Sequence, residues 1–299
     1  MIRCLHTADV HVVTFGALLP DAAHVVRADF LDRARAEGIN AVAADVKALL
    51  RDMAGTGPVL CTCSTLGPLV DELGLANIVR IDRPAICSPI PADKGHTHVL
   101  DLGANIDSTA EHLYQFAVMG SELARAVDGI ENPSVGLLNI GQEDIKGNEQ
   151  VKAANRLLRQ GKLNYIGYVE GDDIFSNRVD VVVCDGFVGN VALKTTEGLA
   201  KMLASILKKE FTRNWLTKLM ALVAMPVLKS VQKQFDPRLY NGASFLGLQG
   251  IVIKSHGGAD SLSYANAISV ARKEIIAEVP KKIRHRLQAL VDQGQTKVQ

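Results

Sequence analysis

The residues of this sequence best suited to chemistry follow a triple-valine stretch at 181–183. They read Asp185-Gly186-Phe187-Val188-Gly189-Asn190, and Lys194 follows one turn later. The valines predict a strand buried on both faces, while the glycines predict a tight loop and Asn190 a helix cap. Backbone N–H groups at such a helix start, with Lys194 beside them, would bind phosphate or another small anion. The alternative is an ordinary glycine-rich turn, since short glycine patterns are weak signals.

Four further segments stand in order around this loop. They are Asp101-Leu-Gly-Ala-Asn105, Asn139-Ile-Gly-Gln-Glu-Asp-Ile-Lys146-Gly147, Asn164 to Gly171, and Tyr240 to Leu248 with Lys254-Ser-His256-Gly257. Together with the Asp185 loop, they resemble the phosphate acyltransferases of bacterial phospholipid synthesis, the PlsX family. The resemblance covers about residues 83–277, and several motifs in the right order are more specific than any one of them.

The pattern of elements predicts the fold class. Apolar β-branched runs alternate with stretches of helical period, which is typical of a doubly wound α/β fold. The family resemblance implies a three-layer, mainly parallel sheet in two lobes, similar to phosphotransacetylases and isopropylmalate dehydrogenases. We therefore divide the chain into an atypical α/β segment, residues 1–82, and an acyltransferase-like region, residues 83–299.

The resemblance also implies a reaction. A fatty acyl group would pass from acyl carrier protein to inorganic phosphate without a cofactor, and a glycerol-3-phosphate acyltransferase would consume the acyl phosphate. The implied enzyme is a homodimer. The predicted catalytic residues are Lys194, Asn139, Lys146 and His256, and the predicted phosphate- and substrate-binding residues are Asn105, Asp185, Gly186, Phe187, Gly189 and Asn190. His256 either protonates the leaving thiolate or only bonds a backbone carbonyl, since histidine serves both purposes.

An apolar stretch at 212–235 predicts a surface hairpin. Its apolar side chains include Trp215, Leu219, Leu222, Val223 and Leu228, and lysines flank them. About ten apolar residues are too few to cross a bilayer, but the pattern fits a helical hairpin dipping into an anionic membrane surface. A helix pair in a core or dimer interface is the alternative. With the resemblance, the membrane interpretation implies a cytoplasmic protein bound peripherally to the membrane.

The first eighty residues depart from the family. The family's opening glycine loop is not found there, and an opening strand is predicted over Ile2 to Phe15 instead. This part is weakly similar to aspartate/glutamate racemase-like proteins. That similarity implies a catalytic thiol at Cys63. A buried structural thiol is the alternative, because free cysteine is among the most buried residue types.

Composition narrows the classes of partner. The 299 residues carry a net charge of +1, which argues against general nucleic-acid binding. Five cysteines without a metal-ligand spacing fit a reducing compartment, and we expect no signal peptide at the Met1 end.

His96 and His98 have no carboxylate beside them in sequence, so a solvated turn is predicted there and no metal site.

Two other functions fit the same residues. A phosphate acetyl- or butyryltransferase would use coenzyme A as the acyl carrier, but the apolar hairpin would then have no evident use. A membrane-surface scaffold that has lost catalysis is the second alternative, because the opening of the chain is atypical.

Overall fold

The computed structural model describes residues 3–18, 20–54, 59–61, 81–234, 236–255 and 259–292. Within them the chain forms two sheets, one of three strands and one of seven. Five of the eight strand pairings are parallel. The predicted α/β class with a mostly parallel sheet is thus confirmed.

The small sheet is built from the first sixty residues. Its strands are β1 (Arg3–His6), β2 (Ala23–Val26) and β3 (Val59–Cys61), and its helices are α1 (Asp9–Leu18), α2 (Ala28–Glu37) and α3 (Ala43–Ala54). The parallel order β2-β1-β3 rests on its own core, which includes Leu5, Phe30 and Val46. The predicted opening strand over Ile2 to Phe15 was too long, because the strand ends at His6 and a helix begins at Asp9. Cys63 lies outside the described residues.

The large sheet carries the rest of the chain. Its strands are β4 (Ala85–Pro91), β5 (His96–Leu100), β6 (Ser134–Leu138), β7 (Asn164–Val169), β8 (Val181–Val183), β9 (Ala243–Leu246) and β10 (Val252–Lys254). The order is β10-β9-β4-β5-β8-β6-β7. The strands β5, β8, β6 and β7 are parallel, so their carboxyl ends meet at one edge. The antiparallel strands β4, β9 and β10 extend the other side of the sheet.

Helices cover both faces of this sheet. They are α4 (Ala110–Val127), α5 (Glu149–Gln160), α6 (Gly186–Thr212), α7 (Trp215–Gln234), α8 (Ser261–Ile276) and α9 (Val279–Asp292). The main core lies under α4, α5 and α9, and a smaller core on the opposite face includes Val99, Ile174 and Val182. The large sheet and its helices therefore form three layers.

The central helix α4 lies directly on the sheet. A Cβ at Gly120 would be 2.6 Å from Val181 Cγ1 and 2.8 Å from Leu100 Cδ1, so only glycine permits this approach. This glycine thus packs α4 closely against strands β5 and β8.

The predicted turn around His96 is wrong. His96 opens the central strand β5, and His98 is almost fully buried within it. The carboxylate that the local sequence lacks is supplied by Asp128, whose Oδ2 lies 2.6 Å from His98 Nε2. It follows α4 directly, thirty residues further along the chain.

Helices α6 and α7 form a long hairpin that exposes apolar side chains along both arms. Trp215, Leu222 and Val223 are 76%, 66% and 77% exposed, Leu219 is exposed, and Leu228 is half-buried. In α7 no side chain that the structure describes is buried. The hairpin thus includes α6 as well as the predicted 212–235, and α7 continues through Pro226. Among the described helices, none combines the length and apolar character needed to span a bilayer.

A buried acid makes stability depend on pH. Glu274 of α8 is 3% exposed and accepts a hydrogen bond from the Ser244 hydroxyl of β9. Burial raises the pKa of Glu274 from its usual 4.5 to about 7, against the opposing effect of that hydrogen bond.

We expect the free energy of unfolding to fall as pH rises from about 4.5 to 7. Over this range the folded protein holds a proton that the unfolded chain releases, so ionisation costs on the order of 3 kcal/mol in the folded state. Glu274→Gln should remove this part of the pH dependence, which urea unfolding at several pH values measures. Parallel pH profiles for the two proteins would contradict it.

Candidate functional site

The candidate site lies at the carboxyl edge of the parallel strands. Loops leave this edge after Leu100 of β5, Leu138 of β6, Val169 of β7 and Val183 of β8. This edge is the usual ligand side of an open α/β sheet. Asn139 and Asp185 follow these strands within two residues, and Asn105 lies in the loop after β5.

A buried carboxylate organises the first loop. Asp101 is fully buried, and its Oδ1 accepts hydrogen bonds from the N–H groups of Ile86 (2.9 Å) and Ala104 (3.1 Å). Its Oδ2 accepts from the N–H (2.6 Å) and Nδ2 (2.9 Å) of Asn105. Asn105 also donates from Nδ2 to the Pro84 carbonyl at 2.9 Å. The Asn105 side-chain amide therefore stabilises the loop through its hydrogen bonds to Asp101 and to the Pro84 carbonyl.

The helix after the triple valine begins earlier than predicted. Asp185 is the N-cap of α6, and its Oδ1 accepts from the Phe187 N–H at 2.9 Å. The prediction of a glycine loop capped by Asn190 is wrong, because Gly186 to Asn190 already form the first turns. The side chain that caps the helix is therefore Asp185, which precedes both glycines.

The two glycines permit close packing of α6. A Cβ at Gly186 would be 2.2 Å from the Asn105 carbonyl oxygen, and one at Gly189 would be 1.9 Å from the Asp101 carbonyl oxygen. No side chain fits at such distances. The helix start therefore lies against the Asp101–Asn105 loop.

Three helix N-termini meet at Ser108. Its N–H donates to Asp185 Oδ2 at 2.9 Å, and its carbonyl accepts from Gln150 Nε2 near the start of α5. The next residue, Thr109, caps α4. The Ser108 side chain is buried, and its hydroxyl has no hydrogen-bond partner among the described residues. The positive ends of the three helix dipoles favour an anion at such a place, and the Asp185 carboxylate already lies against it.

The loop after β6 forms the neighbouring wall. Asn139 donates from its N–H to the Val169 carbonyl (2.8 Å) and from Nδ2 to the Gly141 carbonyl (3.0 Å). Lys146 is exposed on the same loop. Asn139 thus holds the loop in shape, and Lys146 is a charge at its surface.

The structure does not bring all predicted site residues together. Phe187 and Asn190 are exposed on the first turns of α6. Lys194 is exposed and pairs with Glu197 at 2.9 Å. It is nine residues from the cap, or roughly 13 Å along the helix. His256 lies outside the described residues.

The nearby thiol is not suited to covalent catalysis. Cys184 is buried between β8 and α6, and its Sγ donates to the Asp101 carbonyl oxygen at 3.4 Å. Burial raises the pKa of the Cys184 thiol well above its usual range. The thiol therefore stays protonated, and a thiolate is the form that attacks.

An apolar cavity of about 280 Å³ lies beside the same helix. Its apolar lining residues are Ile90, Val99, Leu102, Ile174, Phe175, Ala192 and Leu193. Gly189 lines it as well, so the first turns of α6 separate this cavity from the Asp101 loop. A polar anion position and an apolar pocket thus share one helix.

Two important residues were missed as site residues. Asp101 appeared in the sequence only as part of a motif, although a polar residue directly after a buried strand is a usable signal. Ser108 gave no signal, because its role depends on contacts with two other helices.

The fold and this edge define a class of protein. Two solved structures resemble it: the phosphotransacetylase EutD from Staphylococcus aureus (TM-score 0.55, 14% identity, 93% of this chain and 94% of that one) and a branched-chain phosphotransacylase from Enterococcus faecalis (0.56, 12%, 92% and 100%). The chain therefore has the phosphotransacylase fold.

Sequence comparison gives the family. The family described as fatty acid synthesis protein matches residues 64–282, and the chain belongs to it, as the motifs predicted. Similar proteins named phosphate acyltransferase occur in Methylococcus capsulatus (61% identity over 213 residues, 71% of this chain) and Alkalilimnicola ehrlichii (58% over 217 residues, 73%). The matched stretch spans only 63% and 64% of those two relatives.

Proposed function

We propose that this chain is a phosphate acyltransferase that moves a fatty acyl group from acyl carrier protein to inorganic phosphate. The observation that carries the proposal is the buried Ser108 hydroxyl at three helix N-termini, together with an apolar cavity on the other side of the first turns of α6. An anionic nucleophile and an acyl chain are the two things that this reaction must place together. Membership of the fatty acid synthesis protein family supports the same class of reaction.

The reaction requires positioning more than a strong base. Phosphate is largely dianionic near neutral pH, because its second pKa is about 6. A phosphate oxygen bonds to the thioester carbonyl carbon, the carbon–sulfur bond breaks, and the thiolate takes a proton from solvent. Ser108 and the N–H groups around it would hold the phosphate, and Lys146 would add positive charge. Such preorganised donors stabilise the oxyanion that forms.

The direct test is product formation. Purified protein with acyl-acyl carrier protein and phosphate should release free carrier thiol and an equal amount of acyl phosphate. Competition with acyl-coenzyme A identifies the donor, and faster use of coenzyme A would replace the carrier protein in the proposal. If no donor of any chain length gives acyl phosphate while liposomes still bind the protein, the scaffold alternative is correct.

The apolar cavity would bind the start of the acyl chain. Ala192→Phe places an aromatic ring in the cavity lining, so we expect the kcat/KM for long-chain donors to fall roughly tenfold or more relative to short-chain donors. Ala200→Phe, on an exposed turn of the same helix, is the matched control. Rates for donors of several lengths measure the effect, and an equal change at every length would contradict it.

The hairpin of α6 and α7 would rest on an anionic membrane surface. Its exposed apolar residues supply the hydrophobic contact, and Lys208, Lys209 and Arg213 near its turn supply the charge. Leu222→Glu with Val223→Glu should abolish binding to anionic liposomes, measured by co-sedimentation, and spare activity on soluble donors. Persistent liposome binding would exclude the hairpin as the anchor.

The matched control for charge is Ser205→Glu with Ser230→Glu. Both serines are exposed on the same hairpin, so this variant adds the same two charges without removing apolar side chains. We expect it to retain much more liposome binding than the apolar variant.

The remaining partners follow from the same proposal. Acyl carrier protein is acidic, so Lys201 and the basic residues near the hairpin turn would form its docking face. The product would pass to a membrane glycerol-3-phosphate acyltransferase. A homodimer is proposed as well, and sedimentation equilibrium of the full chain would test it.

A further inference from the structure

Two histidines and an aspartate converge at the amino end of strand β5. His96 and His98 alternate with Thr97, so both side chains lie on one face of the sheet. Asp128 approaches from the end of helix α4. The cluster is at the opposite end of β5 from Asp101, so it is separate from the candidate anion site.

The three ligand atoms are close to one another. Asp128 Oδ2 is 2.6 Å from His98 Nε2 and 3.3 Å from His96 Nε2, and the two Nε2 atoms are 3.2 Å apart. In a tetrahedral zinc site with bonds of 2.0–2.1 Å, neighbouring ligand atoms are about 3.3 Å apart. Two of the three distances match this spacing. The carboxylate alone must withdraw slightly, and its place after the last residue of α4 leaves room for that.

The surroundings hold one histidine rigidly and leave the cluster open on one side. The His98 side chain is 7% exposed, its backbone N–H donates to the Asp180 carbonyl, and its Nδ1 is 3.9 Å from Cys87 Sγ. The side chains of His96 and Asp128 are 32% and 21% exposed. Water can therefore reach a fourth position. The carboxyl end of α4 adds the negative end of its dipole at this place.

We propose that His96, His98 and Asp128 bind a divalent transition-metal ion of the zinc class, with water as the fourth ligand. Imidazole nitrogen suits zinc and its neighbours, whereas magnesium and calcium prefer all-oxygen sites. Metal bound here would connect the amino end of the central strand to the end of α4. Metal binding at this cluster does not depend on the proposed acyl transfer.

Metal binding to the full-length protein tests this proposal. Zinc ions alone are added to metal-free protein in equilibrium dialysis, and the melting temperature is followed, since a ligand of the folded state stabilises it. We expect one zinc ion held at this cluster and a higher Tm. Cobalt at the same place should give the visible absorption of a tetrahedral site.

Matched variants assign the site. His96→Gln and Asp128→Asn should each lower zinc affinity at least tenfold and remove the zinc-dependent rise in Tm. His285→Gln, an exposed histidine elsewhere, should change neither. Two conservative variants are used, with circular dichroism of each, so that a folding failure in one leaves the other as a test.

A second group, Cys4, His6 and His24, must be separated from the first. His6 Nε2 and His24 Nδ1 are 2.8 Å apart on β1 and β2, and these three residues also meet closely enough for a metal ion. His24→Gln should leave the proposed site intact. Zinc binding that survives His96→Gln and Asp128→Asn, or that is lost only in His24→Gln, would overturn the assignment to β5.

Discussion

Replacing Gly189 by alanine is expected to destabilise this protein by about 3 kcal/mol. The new Cβ would lie 1.9 Å from the Asp101 carbonyl oxygen and 2.8 Å from Cys184 Sγ. Overpacking a tight contact costs 1–3 kcal/mol, and the upper end applies because the obstacle is backbone that cannot rotate away. The helix must move off the Asp101 loop, so the proposed acyl phosphate formation should also be lost.

The same helix offers a control. A Cβ at Gly198 meets no atom within 4 Å, so Gly198→Ala should stabilise the helix by up to about 1 kcal/mol. Urea unfolding of both variants gives the two free energies. Equal effects of the two substitutions would mean that α6 does not lie against the Asp101 loop as described.

Asp101→Asn is the second substitution with a large expected effect. The carboxylate accepts four hydrogen bonds through its two oxygens, and an amide retains only one oxygen acceptor. Its NH2 group would face N–H donors in a fully buried position. Leaving such groups unpaired costs 1–3 kcal/mol, more where charge is involved, so we expect a loss on the order of 3 kcal/mol.

The functional consequence should be equally clear. The Asp101 loop supports both Asn105 and the start of α6, so the proposed acyl phosphate formation should fall to background in Asp101→Asn. Asp172→Asn changes an exposed aspartate at the same sheet edge and should leave stability within about 0.5 kcal/mol. Wild-type stability in Asp101→Asn, measured by urea unfolding, would refute the role of this carboxylate.

Much of the fold was predictable from local patterns. The run of valines at 181–183 forms a fully buried strand, as its composition predicted. This signal works because a strand buried on both faces needs apolar side chains at every position. The structure places Asp101, Asn139 and Asp185 at one sheet edge, because parallel strands end on the same side.

The errors have a common physical origin. Local sequence could not reveal that the glycines at 186 and 189 contact another loop, because the partner atoms are some eighty residues earlier. The cap of α6 is Asp185 and not Asn190, and this also depends on a distant part of the chain. The Oδ2 of Asp185 accepts a hydrogen bond from the Ser108 N–H. The apparent turn at His96 is a strand because β4 and β8 pair with it on both sides.

By itself the sequence determined the α/β class, the family and the motifs that surround the candidate site. Strand burial and the order of motifs can both be recognised from residues that are close together in the sequence. Only the tertiary structure decided what those segments do: which carboxylate is buried, which hydroxyl has no partner, and which aspartate meets two histidines. Each of these depends on residues from different elements brought within about 3 Å, where hydrogen bonds form. Distances of that kind are set by packing of the whole chain.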